Sequence, residues 1–274
     1  MAQPRARERL APGAPAAVRR PWWLIALGLA AALLLAIATL PASLFASQFA
    51  RAGLQASGFW GSVWNGRAQG LSWRSAPLGD LDWSVSPWSL LRGRIGGQIA
   101  LSRPDGSLRA AYSVSLGGTL RLEDVQADLP VETLANLPIG MPRNWRGRLS
   151  GRFEEIEVSG GWPTALRGTL DMDGLIAPQP RNTSIGSYHV VIPDPAAPDA
   201  PLTGQTDALT ARVTDKEGPF SFDGRFTLGA DRSFLLEGTL APRGATPPAL
   251  LRSLELLGPA DADGRRPVSV SGTL

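Results

Sequence analysis

Between Arg20 and Arg51 the chain carries no charged side chain, and from Trp22 to Leu40 it is apolar except at Gly28 and Thr39. At a rise of about 1.5 Å per residue such a run nearly spans a hydrocarbon core of about 30 Å. Trp22 and Trp23 open it, where an indole rests at headgroup level with its N–H still wet. Five arginines precede it (Arg5, Arg7, Arg9, Arg19, Arg20) against the single acid Glu8. By the positive-inside rule this places Met1–Arg20 in the cytoplasm and everything past the run outside it. The competing reading is a cleaved signal peptide, with small residues around Ala38, Ala42, Ser43 and Ala46. An uncleaved anchor fits better, because a secretory apolar core is shorter and is followed at once by a small-x-small pair. The expected layout is a basic cytoplasmic tail over 1–20, a transmembrane anchor over 21–41, a linker helix over 42–57 and a periplasmic β-rich domain over 58–274.

The sequence pI of about 10.1 invites a nucleic-acid reading, and the distribution of charge removes it. The tail alone holds a net +4, which leaves −1 for the remainder of a chain whose total is +3. A nucleic-acid-binding domain keeps its basic patch on the folded part. Cysteine is absent, which excludes disulfides, thiolate chemistry and Cys-based metal centres.

From Gly58 onward short alternating runs are broken by Gly, Pro and Asp, the pattern of strands. The runs are Ser62–Ala68, Leu78–Val85, Ile95–Ser102, Leu108–Leu116, Thr119–Ala127, Arg146–Val158, Leu166–Met172, Ile185–Ile192, Ala208–Thr214, Phe220–Leu228, Ser233–Leu240 and Val268–Leu274. The fold class is therefore mostly β, an antiparallel meander or curved sheet outside the membrane. Helix is confined to Trp88–Leu91, Val131–Asn136 and Pro248–Leu257, the last two beginning at or beside a proline. Pro193–Pro201 reads as a loop at which the sheet can divide. Glycines recur before an apolar residue two places on, at Gly118, Gly147, Gly168, Gly224, Gly238 and Gly272. One reading has each glycine opening a strand at equivalent turns of a meander; another stacks such strands into a curved sheet with an apolar concave face.

Catalytic chemistry is hard to assemble. His189 is the only histidine and lies in an apparent strand, and no nucleophile elbow or Walker-type Lys loop occurs. Glu154 and Glu155, adjacent on a strand, point to opposite faces. Asp171 and Asp173 share a face, but two carboxylates are a thin basis for a cation site. No enzyme, cofactor or metal site is expected.

The densest signal is aromatic: Trp60, Trp64, Trp73, Trp83 and Trp88 fall within about thirty residues. Such a cluster packs the base of a domain or binds a partner. The expectation is that Trp64, Trp83 and Trp88 pack against one another or against the first strands. Asn65-Gly66 suggests a type I′ turn pairing Ser62–Trp64 with Arg67–Gln69.

At these residues the chain resembles a known family, protein N of the type II (general) secretion pathway. The resemblance rests on Gly61-Ser62-Val63-Trp64-Asn65-Gly66, on Leu78-Gly79-Asp80-Leu81-Asp82-Trp83 and on Pro87-Trp88-Ser89-Leu90-Leu91-Arg92-Gly93. The residues that carry it as packing or interaction positions are Trp60, Trp64, Gly66, Trp73, Gly79, Trp83, Pro87, Leu91 and Gly93. It implies a non-enzymatic, single-pass inner-membrane accessory subunit whose periplasmic domain links or assembles envelope components. The implied partners are the secretin and the inner-membrane platform proteins. The alternative is an anchored, lipid- or hydrophobe-handling protein like the AsmA-like group. A continuous apolar groove favours the alternative; a filled core with an exposed strand edge favours the first.

Overall fold

A computed structural model of the protein describes residues 22–73, 76–90, 92–135, 144–178, 183–194, 208–244, 246, 248–255 and 258–273. The basic tail, Leu91, Asn136 and most of the Pro193–Pro201 loop lie outside the described residues. The chain divides between Thr39 and Leu40 into two units. The first contains helix α1, Trp22–Ala38, which exposes Leu27, Leu29, Leu33 and Leu35. Its 17 described residues are fewer than the expected span, and among the described residues no helix is long and apolar enough to cross a membrane.

The second unit starts with a 3₁₀ turn, Ala42–Phe45, and helix α2, Ala46–Arg51. The strands are β1 (Leu54–Gln55), β2 (Gly58–Gly61), β3 (Asn65–Trp73), β4 (Ala76–Ser86), β5 (Arg94–Arg103), β6 (Gly106–Ser115) and β7 (Leu120–Pro130). They continue as β8 (Arg146–Ser159), β9 (Trp162–Ala177), β10 (Thr183–Ile192), β11 (Leu209–Glu217), β12 (Phe220–Leu228), β13 (Ser233–Pro242) and β14 (Arg266–Thr273). Three short helices interrupt them, α3 (Pro87–Leu90), α4 (Val131–Ala135) and α5 (Pro248–Glu255). All fourteen strands form one antiparallel sheet in which, from β3 onward, each pairs with its predecessor in the sequence. Both β1 and β2 pair with β3, one after the other along its outer side.

Register explains why alternation was so clear in the sequence. One row of facing residues crosses the sheet from Phe59 through Ala68, Leu81, Leu101, Leu108 and Ala127 to Leu170, Val190, Val213 and Val268, and contains only apolar residues and glycines. The next row, on the opposite face, includes Arg67, Asp82, Arg109, Gln126, Arg152, Arg212, Arg225 and Glu237. A slip of one residue in any pair would exchange these faces, so the pattern fixes the register. The apolar face is covered in places. Ala42, Phe45 and Phe49 pack on Ala68 and Trp83 at one end, and Val131 of α4 packs on Leu149 and Leu175 near the middle. Elsewhere Leu101, Leu108, Leu122 and Ile156 stay half-buried.

Of the recurrent glycines, Gly118 and Gly147 stand where β7 and β8 begin, but the other four do not open strands. Gly168, Gly224, Gly238 and Gly272 lie inside strands, beneath phenylalanine rings. A methyl at Gly168 would meet Phe153, methyls at Gly224 and Gly238 would meet Phe222, and one at Gly272 would meet Phe234, all within 3.0 Å. Each ring lies across glycine on its own or a neighbouring strand, a device that shields exposed backbone and fixes register. The expected Asn65-Gly66 turn is also corrected. Gly61 pairs with Gly66, so the turn is Ser62–Asn65, closed by Ser62 N–H donating to Asn65 O at 2.8 Å.

Gly238→Ala is expected to destabilise the folded chain by roughly 1–3 kcal/mol, because the new methyl would lie 2.6 Å from the Asp223 carbonyl oxygen and 2.7 Å from Gly224 Cα. Chemical denaturation followed by circular dichroism measures this, and an unchanged midpoint would show that the strands part without cost.

Candidate interaction surface

The motif-bearing segment forms the first strands of the sheet and what covers them. Trp83, on β4, is 8% exposed and lies over Gly66, where a methyl would sit 2.3 Å from the indole. Its ring N–H donates to Val63 O at 3.0 Å, satisfying the one polar group that burial would otherwise strand. Phe45 meets it edge-on at 5.7 Å between centroids, and Phe49 at 6.4 Å. The i, i+4 spacing of Phe45 and Phe49 was the sequence signal for this lid, and it went unused. Trp73 donates its ring N–H to Ala52 O at 3.1 Å, tying β3 to the end of α2. Trp64 is half-buried, and its carbonyl accepts the Val85 N–H. Gly79 has φ +100° with Ser102 O 2.4 Å from where a Cβ would be, beside the irregularity in the β3–β4 ladder. Gly93 (φ +67°) makes the turn after α3, which Pro87 opens.

Trp88 departs from expectation. It is 75% exposed. Ser89 takes the inward position instead, donating to Ser86 O at 2.6 Å and accepting the Gly96 N–H at 2.9 Å, and this turns Trp88 outward. Trp60 is also exposed, at 65%, on the polar face. It borders an open recess of about 790 Å³ with Arg67, Asp82, Gln98 and Arg109. There Arg67 donates to both carboxylate oxygens of Asp82, at 2.5 and 3.0 Å. Tryptophan and arginine around a shallow recess are the residue types that dominate protein–protein binding energy.

Further along the polar face, His189 Nδ1 lies 2.8 Å from Asp171 Oδ1, and Lys216 Nζ donates to Asp171 at 3.1 Å and Asp173 at 3.0 Å. The two aspartates do face the same way, and an ammonium fills the place between them. Partial burial pushes the Asp171 carboxyl up, but the hydrogen bonds from His189 and Lys216 outweigh it and hold it below the ordinary carboxylate range. The carboxylate thus orients His189 within a network closed by a lysine, where a hydrolase would present a nucleophile. Among the described residues no group of three or more acidic, His or Cys side chains is placed to hold a metal ion.

The two edges of the sheet differ. At the N-terminal edge β1 and β2 supply two and four residues, broken at Ala56-Ser57. At the other, β14 pairs with β13 over Arg266–Thr273, and among the described residues no strand pairs with its outer side. No charge occurs from Val268 to Thr273; Val268 and Val270 lie on the apolar face, and Ser269, Ser271 and Thr273 on the polar one. Charge, proline and interruption are the usual defences of an edge, and past Pro267 this one has none.

Comparison with known proteins decides the family. The sequence model described as "Type II secretion system (T2SS), protein N" matches residues 52–269. The chain belongs to this family. The type II secretion system protein N of Aeromonas hydrophila is 26% identical over 225 residues, covering 81% of this chain and 85% of its own length. That of Vibrio cholerae serotype O1 is 24% identical over 228 residues, covering 81% and 86%. No solved structure matches significantly. A protein N is a component of the secretion machinery, and its partners are other secretion components. The matched region takes in all fourteen strands save the last few residues of β14, so the family resemblance and the sheet coincide.

Two measurements follow from this geometry. Trp83→Ala should cost roughly 3–5 kcal/mol in thermal or denaturant unfolding, whereas Trp88→Ala should stay within about 0.5 kcal/mol; equal effects would mean that the cluster does not divide between core and surface. Because the Asp171 pKa is depressed on folding, its contribution is present above the unfolded carboxylate value of about 4 and is lost as pH falls through the lower folded one. Melting temperatures recorded through that acid range should therefore decline less steeply in Asp171→Asn than in the parent.

Proposed function

We propose that this protein N is an accessory subunit of a type II secretion machine, held in the inner membrane by the apolar segment around α1, with its sheet in the periplasm. It has no turnover of its own and works by binding, through the open side of β14, an extended strand of the secretin or of a platform subunit. The observation that carries this reading is the asymmetry of the edges: short, broken strands at one end and, at the other, an alternating strand without charge from Val268 to Thr273. Strand addition there would extend both faces in register, with backbone hydrogen bonds supplying affinity and the Val268/Val270 row supplying selectivity. The anchoring half of the proposal is supported by the exposed leucines of α1 and by the five arginines that precede it in sequence.

A second reading, the handling of lipid or another hydrophobe, is supported by the apolar row that crosses the sheet and remains half-buried at Leu101 and Leu108. Purification of the full chain in mild detergent separates the two, since a hydrophobe carrier would retain phospholipid in a fixed ratio to protein.

A photo-cross-linking residue at Val270 in intact cells should capture a secretin or platform subunit, and Val270→Lys should reduce secretion without lowering the level of the chain. A periplasm-active reporter fused after Arg51 should be active. Capture of neither class of subunit at any position of β14, or release of a soluble chain cleaved near Ser43 or Ser47, would defeat the binding and anchoring parts respectively.

A further inference from the structure

Four large apolar side chains stand in water at one end of the sheet. Trp88 is 75% exposed, Leu90 44%, Ile95 47% and Leu116 91%. They come from two adjoining connections, β4–α3–β5 and the β6–β7 turn, which touch: a methyl placed at Gly93 would lie 3.7 Å from Leu116 Cδ1. Single exposed leucines are ordinary, but a contiguous group at a strand end marks a surface that meets something apolar. Nor is the group a by-product of loose loops. The β6–β7 turn is closed by Ser115 N–H to Thr119 O and Gly118 N–H to Ser115 O, both 3.0 Å, and by Thr119 N–H to Ser115 Oγ at 3.2 Å. Leu116 is thereby held at the apex of a turn, where polar residues are the rule. The α3 turn is closed in the same manner, by Arg92 N–H to Ser89 O and Gly93 N–H to Leu90 O.

What would cover this end is indicated by two further observations. Arg92 and Arg94 are exposed within the same connection and take part in no ion pair among the described residues. The chain also enters the sheet unit at this end: Leu40 O accepts the Val63 N–H at 2.9 Å, Pro41 bridges to Ser62, and the Ser62–Asn65 turn lies beside the end of β4, where Trp64 O accepts the Val85 N–H.

We infer that this end of the sheet is a membrane-contacting tip, in which Trp88, Leu90 and Leu116 enter the headgroup region of a bilayer and Arg92 and Arg94 meet anionic headgroups. Tryptophan and leucine beside unpaired arginine is the composition of interfacial contact, with apolar burial and headgroup attraction acting together. The inference rests on the proposed anchoring, since the residues that follow the apolar segment in the chain, Leu40 and Pro41, are held at this end of the sheet. A protein partner would account for the apolar group, but it leaves the two bare arginines and the point of entry as coincidences.

The absence of cysteine makes the test direct. A nitroxide is placed through Leu116→Cys, separately through Trp88→Cys, and as a control through Ser107→Cys at the far end of β6. The full chain is reconstituted in vesicles of phosphatidylethanolamine with phosphatidylglycerol. Labels at 116 and 88 should show severalfold greater relaxation by oxygen relative to an aqueous nickel chelate than the label at 107. That contrast should shrink when phosphatidylglycerol is replaced by phosphatidylcholine, and shrink likewise in Arg92→Glu with Arg94→Glu. Labels at 116 and 88 as open to the chelate as the one at 107 would overturn the inference, and so would shielding from both reagents, which signifies contact with protein. Retention of the chain through an alkaline wash reports on the anchor separately: a chain washed off refutes anchoring, and a chain retained with water-exposed labels refutes only the tip.

Discussion

Pairing between sequence neighbours is the constraint on which the rest of this structure depends. Every strand from β3 to β13 obtains its backbone hydrogen bonds from the strand before it and the strand after it, and β14 obtains its own from β13. The sheet is therefore a linear succession with two ends, and both ends need a solution. The N-terminal end is closed by short, interrupted strands and by the turn that holds Leu40 and Pro41. At the C-terminal end no described strand pairs with the outer side of β14, and the proposed binding role uses that edge.

A single sheet also has an apolar face to cover, and among the described residues there is no second sheet to do it. Local devices answer that need. Phe45 and Phe49 lie over Trp83, Val131 lies over Leu149 and Leu175, and phenylalanine rings lie across strand glycines. Charge pairs on the other face, such as Arg148 with Asp128 and Arg212 with Asp223, are solvent-exposed and add little to stability. Their main effect is to keep that face polar. Arg225 differs, because its partner Asp194 is wholly buried where the chain leaves β10. Removing Arg225 would take an ionic partner from a carboxylate held away from water.

Most of the strands were legible because a half-buried sheet writes its register into the sequence with a period of two. Each expected run from Leu78–Val85 to Val268–Leu274 overlaps an observed strand, and α3, α4 and α5 lie where proline and local pattern placed them. The errors share a cause, which is that periodicity gives the face of a residue and not its neighbours. Gly168, Gly224 and Gly238 looked like turn residues, and only the ladder reveals the rings above them. Asn65-Gly66 has the composition of a tight turn, but Trp83 on the next strand claims the space over Gly66 and shifts the turn back to Ser62–Asn65. Trp88 resembled its buried neighbours in sequence, yet Ser89 holds the inward position by both donating to Ser86 O and accepting the Gly96 N–H, and an indole, a donor only, cannot accept. The family, in turn, was legible from the motifs of residues 58–93, while the open edge at β14 became visible only with the full strand order.

The meander has a consequence for how such a chain acquires its structure. In a Greek key or a parallel sheet an early strand waits for a partner encoded much later, exposed in the meantime. Here the order of synthesis is the order of pairing. A polypeptide emerging N-terminus first can add each strand to a template already formed; most neighbours are joined by tight turns whose closure costs little, and only the β7–β8, β10–β11 and β13–β14 connections are long. The growing edge moves with the chain, and at every stage only one strand is unpaired. Folding of this kind resembles the one-directional growth of a repeat array more than the collapse of a globule.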